Sequence, residues 1–189
     1  MSSKHVVVAI SGASGSIYGI RCLQMLREIS DVVAHLVVTP SAKSTIGVET
    51  KFSISEIEKL ADEVHSPRDI GASIASGSFQ TSGMIVAPCS IKMLSAIANS
   101  FGSDLVSRAA DVTLKEKRPL ILMVRETPFH LGHLRIMTKA VEIGAVIYPP
   151  IPAFYNDPVG IDDLIEHSVG RALDHLGFEI PDLKRWKGR

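Results

Sequence analysis

The sequence HVVVAIS at residues 5–11 runs directly into GASGSIYG at residues 12–19, and this junction decides the fold. The uncharged first run predicts a strand that is buried on both faces, and the small residues after it predict a tight turn into a helix. Glycine and alanine let the backbone approach a bound group closely, and the first N–H groups of a helix carry a partial positive charge. The junction therefore predicts a strand–turn–helix unit that binds a phosphate.

The spacing of the glycines narrows the choice of ligand. Gly12, Gly15 and Gly19 follow the pattern Gly-x-x-Gly-x-x-x-Gly, which is neither the dinucleotide pattern Gly-x-Gly-x-x-Gly nor the Gly-Lys-Ser/Thr ending of a nucleoside triphosphate loop. The next predicted strand ends at Thr39, with no carboxylate to hold an adenine ribose. A hydroxyl at that place suits a mononucleotide such as FMN, and a glycine turn without any ligand is the alternative.

Composition predicts one domain over residues 1–189, with a basic C-terminal tail at residues 179–189. Twenty basic residues balance twenty acidic ones, which predicts neither nucleic acid nor a membrane surface as a partner. Because 46% of the residues are hydrophobic and only 21% are charged, we expect apolar surface to be buried between subunits of a homo-oligomer. The two cysteines, Cys22 and Cys89, predict a reducing, cytoplasmic location without disulfides, and no apolar run reaches the ~18 residues of a membrane span.

Strand-like and helix-like segments alternate along the chain. We predict strands at residues 5–11, 32–39, 82–88, 119–125 and 145–148. We predict helices at residues 17–29, 41–48, 54–63, 91–101, 103–116 and 131–143, and a last helix that Asp162 caps and that ends near Gly177. This alternation predicts an α/β fold with three layers and a doubly wound, mostly parallel sheet, of the flavodoxin or Rossmann type. Ligands of such sheets bind at the carboxyl ends of the strands.

Polar residues follow the third and fourth predicted strands. Ser90 after the third strand is either a flavin ligand or only the cap of the next helix. Arg125 and Glu126 after the fourth strand either form a structural ion pair or hold an anionic substrate and exchange a proton with it. Arg108 and Lys115 are seven residues apart on one helix face, which is either a solvated face or part of a phosphate-binding cation cluster.

The sequence predicts structural roles for Cys89 and for the pair His130 and His133. Cys89 has no base near it in the sequence, so we predict a small buried residue and not a nucleophile. His130 and His133 have a spacing that can bind a metal, but no third ligand lies near them in the sequence, so we predict no metal site.

Seven segments, in chain order, resemble the UbiX family of flavin prenyltransferases, which older descriptions call aromatic acid decarboxylases. The segments lie at residues 10–15, 76–79, 88–92, 108–111, 115–120, 125–128 and 149–155. The resemblance covers nearly the whole chain. It implies a flavodoxin-like subunit of a homo-oligomer, usually a dodecamer of trimers, with FMN at a subunit interface.

The resemblance also implies a reaction. A dimethylallyl group passes from dimethylallyl phosphate to reduced FMN, bonding first at N5 and then at C6 of the flavin, without a metal. The prenylated FMN that results serves a separate UbiD-type decarboxylase. The resemblance leaves open the preference for phosphate or pyrophosphate and the pathway in which the decarboxylase acts.

The resemblance assigns roles by position in the chain. The implied FMN-binding residues are Gly12, Ala13, Ser14, Thr39, Ser90, Ile91, Lys92, Met93 and Arg125. The implied ligands of dimethylallyl phosphate are Arg108, Lys115, Arg125, Tyr155 and Arg171. The implied catalytic residues are Ser14, Glu49, Lys115 and Glu126, with Glu126 exchanging a proton with the departing phosphate and Glu49 assisting from a neighbouring loop. Met93 stands where the family more often has Thr, which removes one hydroxyl.

Two other functions remain as alternatives. One is an FMN-dependent decarboxylase that acts on aromatic acids or on peptidyl-cysteine or pantothenoyl-cysteine, although the Pro-x-Met-Asn motif and catalytic His of the cysteine-specific enzymes are not found here. The other is a flavin carrier without catalysis. A carrier needs no second anion site, so the cations Lys115 and Arg125 favour an enzyme.

Overall fold

The computed structural model describes residues 3–181, 183–186 and 188, and these residues form a three-layer α/β fold. All strand pairs among them are parallel, and the strand order in the single sheet is β3-β2-β1-β4-β5-β6. The strands are β1 (Lys4–Ile10), β2 (Val32–Val38), β3 (Glu63–His65), β4 (Gly83–Cys89), β5 (Leu120–Val124) and β6 (Val146–Ile147). This is the order of a doubly wound Rossmann sheet.

Within the described residues, seven α-helices cover the two faces of the sheet, and Ser73–Ala75 form a short 3-10 helix. The α-helices are α1 (Ser16–Arg27), α2 (Pro40–Glu49), α3 (Ile54–Glu58), α4 (Ile91–Ala98), α5 (Leu105–Lys115), α6 (Leu131–Glu142) and α7 (Ile161–His175). Side chains alternate along β1, so that Val6 and Val8 pack in the core under α1 and α7, whereas Val7 and Ala9 pack in the core under α4 and α5. Two buried faces explain why residues 6–10 of this strand are all apolar.

One strand was not predicted. The predicted helix at residues 54–63 ends at Glu58, and Glu63–His65 instead form β3, which pairs in parallel with β2 at the edge of the sheet. A strand of three residues that includes a carboxylate and an imidazole lacks the apolar signal on which strand prediction depends. All the other predicted elements agree with the observed bounds to within three residues.

The predicted cap of the last helix was also wrong. Helix α7 begins at Ile161 after Gly160, and the Asp163 carboxylate accepts hydrogen bonds from the N–H groups of Val159 (2.6 Å) and Gly160 (3.2 Å). Asp162 lies within the first turn of the helix, where an acidic side chain is favoured by the helix dipole. As predicted, the helix ends just before Gly177, which adopts a left-handed conformation with φ 78°.

The described part of the C-terminal tail packs on the same protomer. The Arg185 guanidinium donates two hydrogen bonds to the Asp174 carboxylate, at 2.6 and 2.9 Å, and the Trp186 ring contacts the edge of the Tyr155 ring, with centroids 5.9 Å apart. The hydrogen bonds from Arg185 lower the pKa of Asp174, although partial burial acts to raise it. The described part of the tail therefore extends the α7 layer.

The two cysteines are core residues. Cys22 and Cys89 are both fully buried free thiols, and this burial raises the pKa of each. The prediction that Cys89 is a buried residue is confirmed. Among the residues described, no helix is both long and apolar enough to cross a membrane.

Candidate active site

A cleft of about 290 Å³ opens at the carboxyl ends of β1, β4 and β5. Its lining consists of Gly12, Ala13, Ser14, Ser90, Ile91, Arg125, Glu126 and Thr127. All of these except Thr127 were predicted site residues, although they come from three separate parts of the sequence. The cleft lies at the edge of the sheet where α/β folds bind their ligands.

Ser11, which the sequence reasoning did not assign, ties two walls of the cleft together. Its side chain is buried; the hydroxyl donates to the carbonyl oxygen of Pro88 (2.8 Å) and accepts from the N–H of Ser90 (2.8 Å). This pair of hydrogen bonds joins the end of β1 to the end of β4. A hydroxyl at the end of an otherwise apolar strand is the only sequence signal for this role.

The turn after β1 contacts a carboxylate of its own chain. Gly15 adopts a left-handed conformation (φ 98°), and Glu49 at the end of α2 accepts hydrogen bonds from the N–H groups of Gly15 (2.8 Å) and Ser16 (3.3 Å). Glu49 thus lies at the positive end of α1 and accepts from the N–H groups that were predicted to hold a phosphate, and that phosphate contact stays a prediction.

The Glu49 carboxylate is held in its ionised form. Partial burial acts to raise its pKa, but hydrogen bonds from the Ser14 hydroxyl and from the N–H groups of Gly15 and Ser16, with the charge of Arg125, lower it overall. Glu49 thus fixes the turn that borders the cleft.

Arg125 crosses the cleft between two walls. Its Nε–H donates to the carbonyl oxygen of Ser14 at 3.2 Å, which links the end of β5 to the turn after β1. Among the described residues, the other guanidinium N–H groups have no hydrogen-bond partner, so a planar donor set is available to an anion in the cleft. Glu126, the next residue, is exposed, and its carboxylate accepts from the N–H of Thr127 (3.0 Å).

The first turn of α4 forms another wall. The Ser90 hydroxyl accepts from the N–H of Met93 (3.2 Å), so Ser90 both caps the helix and lines the cleft. The N–H groups of Ile91 and Lys92 belong to the first turn, where a helix supplies no acceptor of its own. Met93 is buried in the core with only 6% of its surface exposed, and neither it nor Lys92 lines the cleft.

Thr39 is a helix cap beside the cleft. It is buried, and its hydroxyl accepts from the N–H of Ala42 (3.2 Å) at the start of α2. Pro40 follows at the first helical position, where its missing N–H has no consequence. The implied contact of Thr39 with FMN stays a prediction.

Lys115 and Arg108 do not line the cleft. Lys115 ends α5 and precedes the amino end of β5, whereas Arg125 follows the carboxyl end of the same strand. The five residues of β5 span roughly 16 Å at about 3.3 Å each. Lys115 pairs with Glu116, and Arg108 pairs with Asp111 at 3.1 Å. The structure thus separates Lys115 from the cleft of its own protomer.

Tyr155 and Arg171 form a third group, on the α7 layer. The Tyr155 hydroxyl is hydrogen-bonded to Nε2 of His167 (3.1 Å), and its ring contacts Trp186. Arg171 pairs with Asp174 at 2.8 Å. Sequence reasoning did not identify His167 or Trp186 as neighbours of Tyr155, since they come from residues 12 and 31 positions further along.

His130 is a helix cap. Its Nδ1 accepts from the N–H groups of Gly132 (3.0 Å) and His133 (3.4 Å) at the start of α6. The described parts of the chain contain no group of three or more His, Cys, Asp or Glu side chains that could hold a metal ion.

Comparison with known proteins identifies the family. The Flavoprotein family model matches residues 1–160. The chain is 56% identical, over 187 residues, to the flavin prenyltransferase UbiX of Escherichia coli K12, a match that covers 98% of this chain and 99% of that protein. The fold superposes with a TM-score of 0.96 on the crystal structure of AnUbiX (PadA1) in complex with FMN and dimethylallyl pyrophosphate, which is 48% identical over 99% of both chains. The TM-score is 0.94 with a dodecameric FMN-dependent UbiX-like decarboxylase from Escherichia coli O157:H7, at 46% identity over 97% of this chain and all of the other. This chain belongs to the UbiX family of flavin prenyltransferases.

Proposed function

We propose that this protein transfers the dimethylallyl group of dimethylallyl phosphate to reduced FMN and releases prenylated FMN, without a metal. The observation that carries the proposal is the cleft at the carboxyl ends of β1, β4 and β5, in a chain of the flavin prenyltransferase family. The related AnUbiX binds FMN and dimethylallyl pyrophosphate, the two kinds of ligand that this reaction requires.

The residues of the cleft suit a flavin. Gly12 and Ala13 line the cleft, so the backbone after β1 can lie against a ring system. Ser90 and the first N–H groups of α4 offer hydrogen-bond donors to ring carbonyl oxygens. In this proposal the guanidinium of Arg125, which lines the cleft and donates to the carbonyl oxygen of Ser14, contacts both the ring and the leaving group.

The remaining predicted residues suit a phosphate leaving group. A phosphate monoester anion leaves poorly, so cations and a proton donor must stabilise the charge that develops on it. Lys115, Arg125 and Arg171 supply the cations in this proposal. Glu126 supplies the proton exchange, and the Tyr155 hydroxyl donates a hydrogen bond to the phosphate. The Glu49 carboxylate, which accepts from the N–H groups of Gly15 and Ser16, holds the turn in place while this charge develops.

The site is completed by neighbouring protomers in this proposal. Lys115 lies at the amino edge of the sheet and the cleft at the carboxyl edge, so the two cannot meet within one protomer. The cleft alone, at about 290 Å³, is at the small end of the range of about 300–1,000 Å³ for ligand sites. A homododecamer, the assembly of one related UbiX-like protein, supplies the missing walls.

The product and the location follow from the same proposal. Prenylated FMN passes to a UbiD-type decarboxylase, which uses it as a cofactor. The protein acts in the cytoplasm, where its two free thiols stay reduced.

Anaerobic incubation with reduced FMN and dimethylallyl phosphate, followed by mass spectrometry of the extracted flavin, tests this function. The expected result is a flavin heavier by one dimethylallyl unit. Bound but unmodified FMN, with dimethylallyl pyrophosphate also inactive, would contradict it. A parallel incubation of the FMN-loaded protein with aromatic acids separates the decarboxylase alternative, because carbon dioxide release without added prenyl donor would support that function instead.

A further inference from the structure

The turn between α5 and β5 holds a second segment of the chain. Arg118 reaches from this turn and donates to the carbonyl oxygens of Phe79 (2.7 Å) and Gly77 (2.9 Å), and more weakly to the Thr81 hydroxyl (3.4 Å). The two nitrogens of one guanidinium therefore hold two carbonyl groups of the loop at residues 76–79, here called the 76–79 loop. A lysine ammonium cannot reproduce this planar fork.

The turn that carries Arg118 is itself fixed. The N–H of Lys117 donates to the carbonyl oxygen of Leu114 (2.9 Å), and the N–H of Arg118 donates to that of Thr113 (2.9 Å). Lys117 adopts a left-handed conformation, φ 56°, which reverses the chain at the end of α5. The backbone that carries the Arg118 side chain is thus hydrogen-bonded to the last turn of α5.

The 76–79 loop lies directly against Lys115. A Cβ atom added to Gly77 would lie 2.5 Å from Nζ of Lys115 and closer still to a carboxylate oxygen of Glu116. The Lys115 ammonium is paired with this same carboxylate, and the pairing lowers the pKa of Glu116. Lys115 is therefore confined between the Glu116 carboxylate and the backbone at Gly77.

A second contact supports the loop from its other side. The Phe79 ring meets the imidazole rings of His5 and His35 edge-on, with centroids 5.1 and 5.3 Å apart. Arg118 and this ring contact hold the loop from two directions. If either contact were lost, the loop backbone could move away from Lys115.

We propose that Arg118 is a positioning residue for Lys115, acting through the carbonyl groups of Gly77 and Phe79. This inference rests on the proposed role of Lys115 as a ligand of dimethylallyl phosphate. The side chain of Lys115 is 47% exposed, and an exposed lysine loses rotamer entropy when it binds. A fixed loop beside it removes part of that loss before the substrate arrives.

The test is a double-mutant cycle on the FMN-loaded protein, with dimethylallyl phosphate binding measured by calorimetry. The variants are Arg118→Lys, Lys115→Ala and the double variant. We expect Arg118→Lys to weaken binding about tenfold when Lys115 is present and by less than about twofold when it is alanine. FMN affinity should be unchanged, and the matched control Arg27→Lys, which alters another arginine–carbonyl contact (Lys59, 2.7 Å), should bind like the native protein.

The outcomes separate the two claims. If Lys115→Ala does not weaken binding, the proposed role of Lys115 fails. If Lys115→Ala weakens binding but Arg118→Lys does not, or weakens it equally in both backgrounds, the positioning role fails and the proposed function stands. If Arg118→Lys does not fold, Gly77→Ala provides the second test, because its added methyl group should displace the ammonium and give the same dependence on Lys115.

Discussion

The cleft at the carboxyl edge and the Lys115 region at the amino edge of the same sheet are built in different ways. The walls of the cleft are linked within one protomer, since Ser11, Glu49 and Arg125 join them by hydrogen bonds. The Lys115 region contains a cation, a carboxylate and a supporting loop, but no cleft residue lies beside them.

This difference shows which half of the site a single chain can hold. The contacts that shape the flavin half lie within a protomer. In the proposed function, the phosphate half also depends on Lys115 of a neighbouring protomer. We therefore expect substitutions in the two regions to separate flavin binding from prenyl transfer.

Lys115→Ala should give the largest effect. We expect kcat/KM for dimethylallyl phosphate to fall by about 10³, since a cation aimed at the developing charge is removed, while FMN affinity stays within about twofold. Stopped-flow assay and flavin titration measure the two quantities. The control is Lys139→Ala, which removes an ammonium that contacts Asn99 (2.6 Å). A parallel loss of FMN affinity would contradict the expected separation of flavin binding from prenyl transfer.

Acid should weaken the support of the Lys115 region. Nδ1 of His5 lies 2.8 Å from Nε2 of His35, and Nδ1 of His35 lies 3.0 Å from Nε2 of His65, beside Phe79. Burial, and then the charges of His65 and His5, lower the pKa of His35 from 6.5 to about 4, against the opposing charge of Asp62. The neutral imidazole is thus the form that the folded protein favours.

The sign of the pH effect follows from this pKa. The unfolded chain binds a proton at His35 near pH 6.5, whereas the folded chain binds it only near pH 4. The free energy of unfolding therefore has its full value above pH 6.5 and decreases as the pH falls from 6.5 to about 4. We expect a loss of up to about 3 kcal/mol in the free energy of unfolding, measured in urea at several pH values. His35→Gln should reduce this dependence and His175→Gln should not. An unchanged pH dependence in His35→Gln would contradict the attribution of this pH dependence to His35.

Glu49→Gln should affect the cleft moderately. The amide oxygen can still accept from Gly15 and Ser16, but the negative charge beside Arg125 is lost, so we expect FMN affinity to fall about tenfold. Glu56→Gln is the matched control, because Glu56 also accepts from a backbone N–H at a helix start, that of Ser53 (2.8 Å). Unchanged FMN affinity in Glu49→Gln would mean that the turn needs no charge.

Met93→Thr should have the smallest effect on the site. The resemblance implies that Met93 contacts the flavin, whereas the structure buries it in the core beneath α4. We therefore expect a loss of about 1–3 kcal/mol in unfolding free energy and no change in FMN affinity. Thermal unfolding and flavin titration measure these. A gain in FMN affinity would show that the implied contact is right.

The sequence predicted the fold well where a strand is uncharged and buried on both faces, as β1 is over residues 6–10. It failed at β3, whose Glu63 and His65 at a sheet edge carry no such signal. The walls of the cleft were predictable because residues after parallel strands meet at one edge. The contact of the Glu49 carboxylate with the turn was not predictable, because Glu49 is 34 residues from Gly15 and only the packing of α2 on α1 brings them together.

The separation of Lys115 from Arg125 was present in the predicted topology. A helix that precedes a parallel strand ends at the amino edge of the sheet, so Lys115 belongs there and Arg125 at the opposite edge. A list of implied ligands carries no information about which protomer supplies each one. The direction of α5 supplies that information.

Complementation between two inactive variants tests most directly the claim that the site is shared between protomers. Lys115→Ala and Glu126→Gln, coexpressed with different affinity tags, are purified as mixed oligomers and assayed for prenylated FMN. If Lys115 serves the cleft of a neighbour, random mixing should restore activity at about a quarter of the sites, since each such site then has one native residue from each protomer. Mixed oligomers as inactive as either parent would show that Lys115 and Glu126 act within one protomer, and would contradict the account.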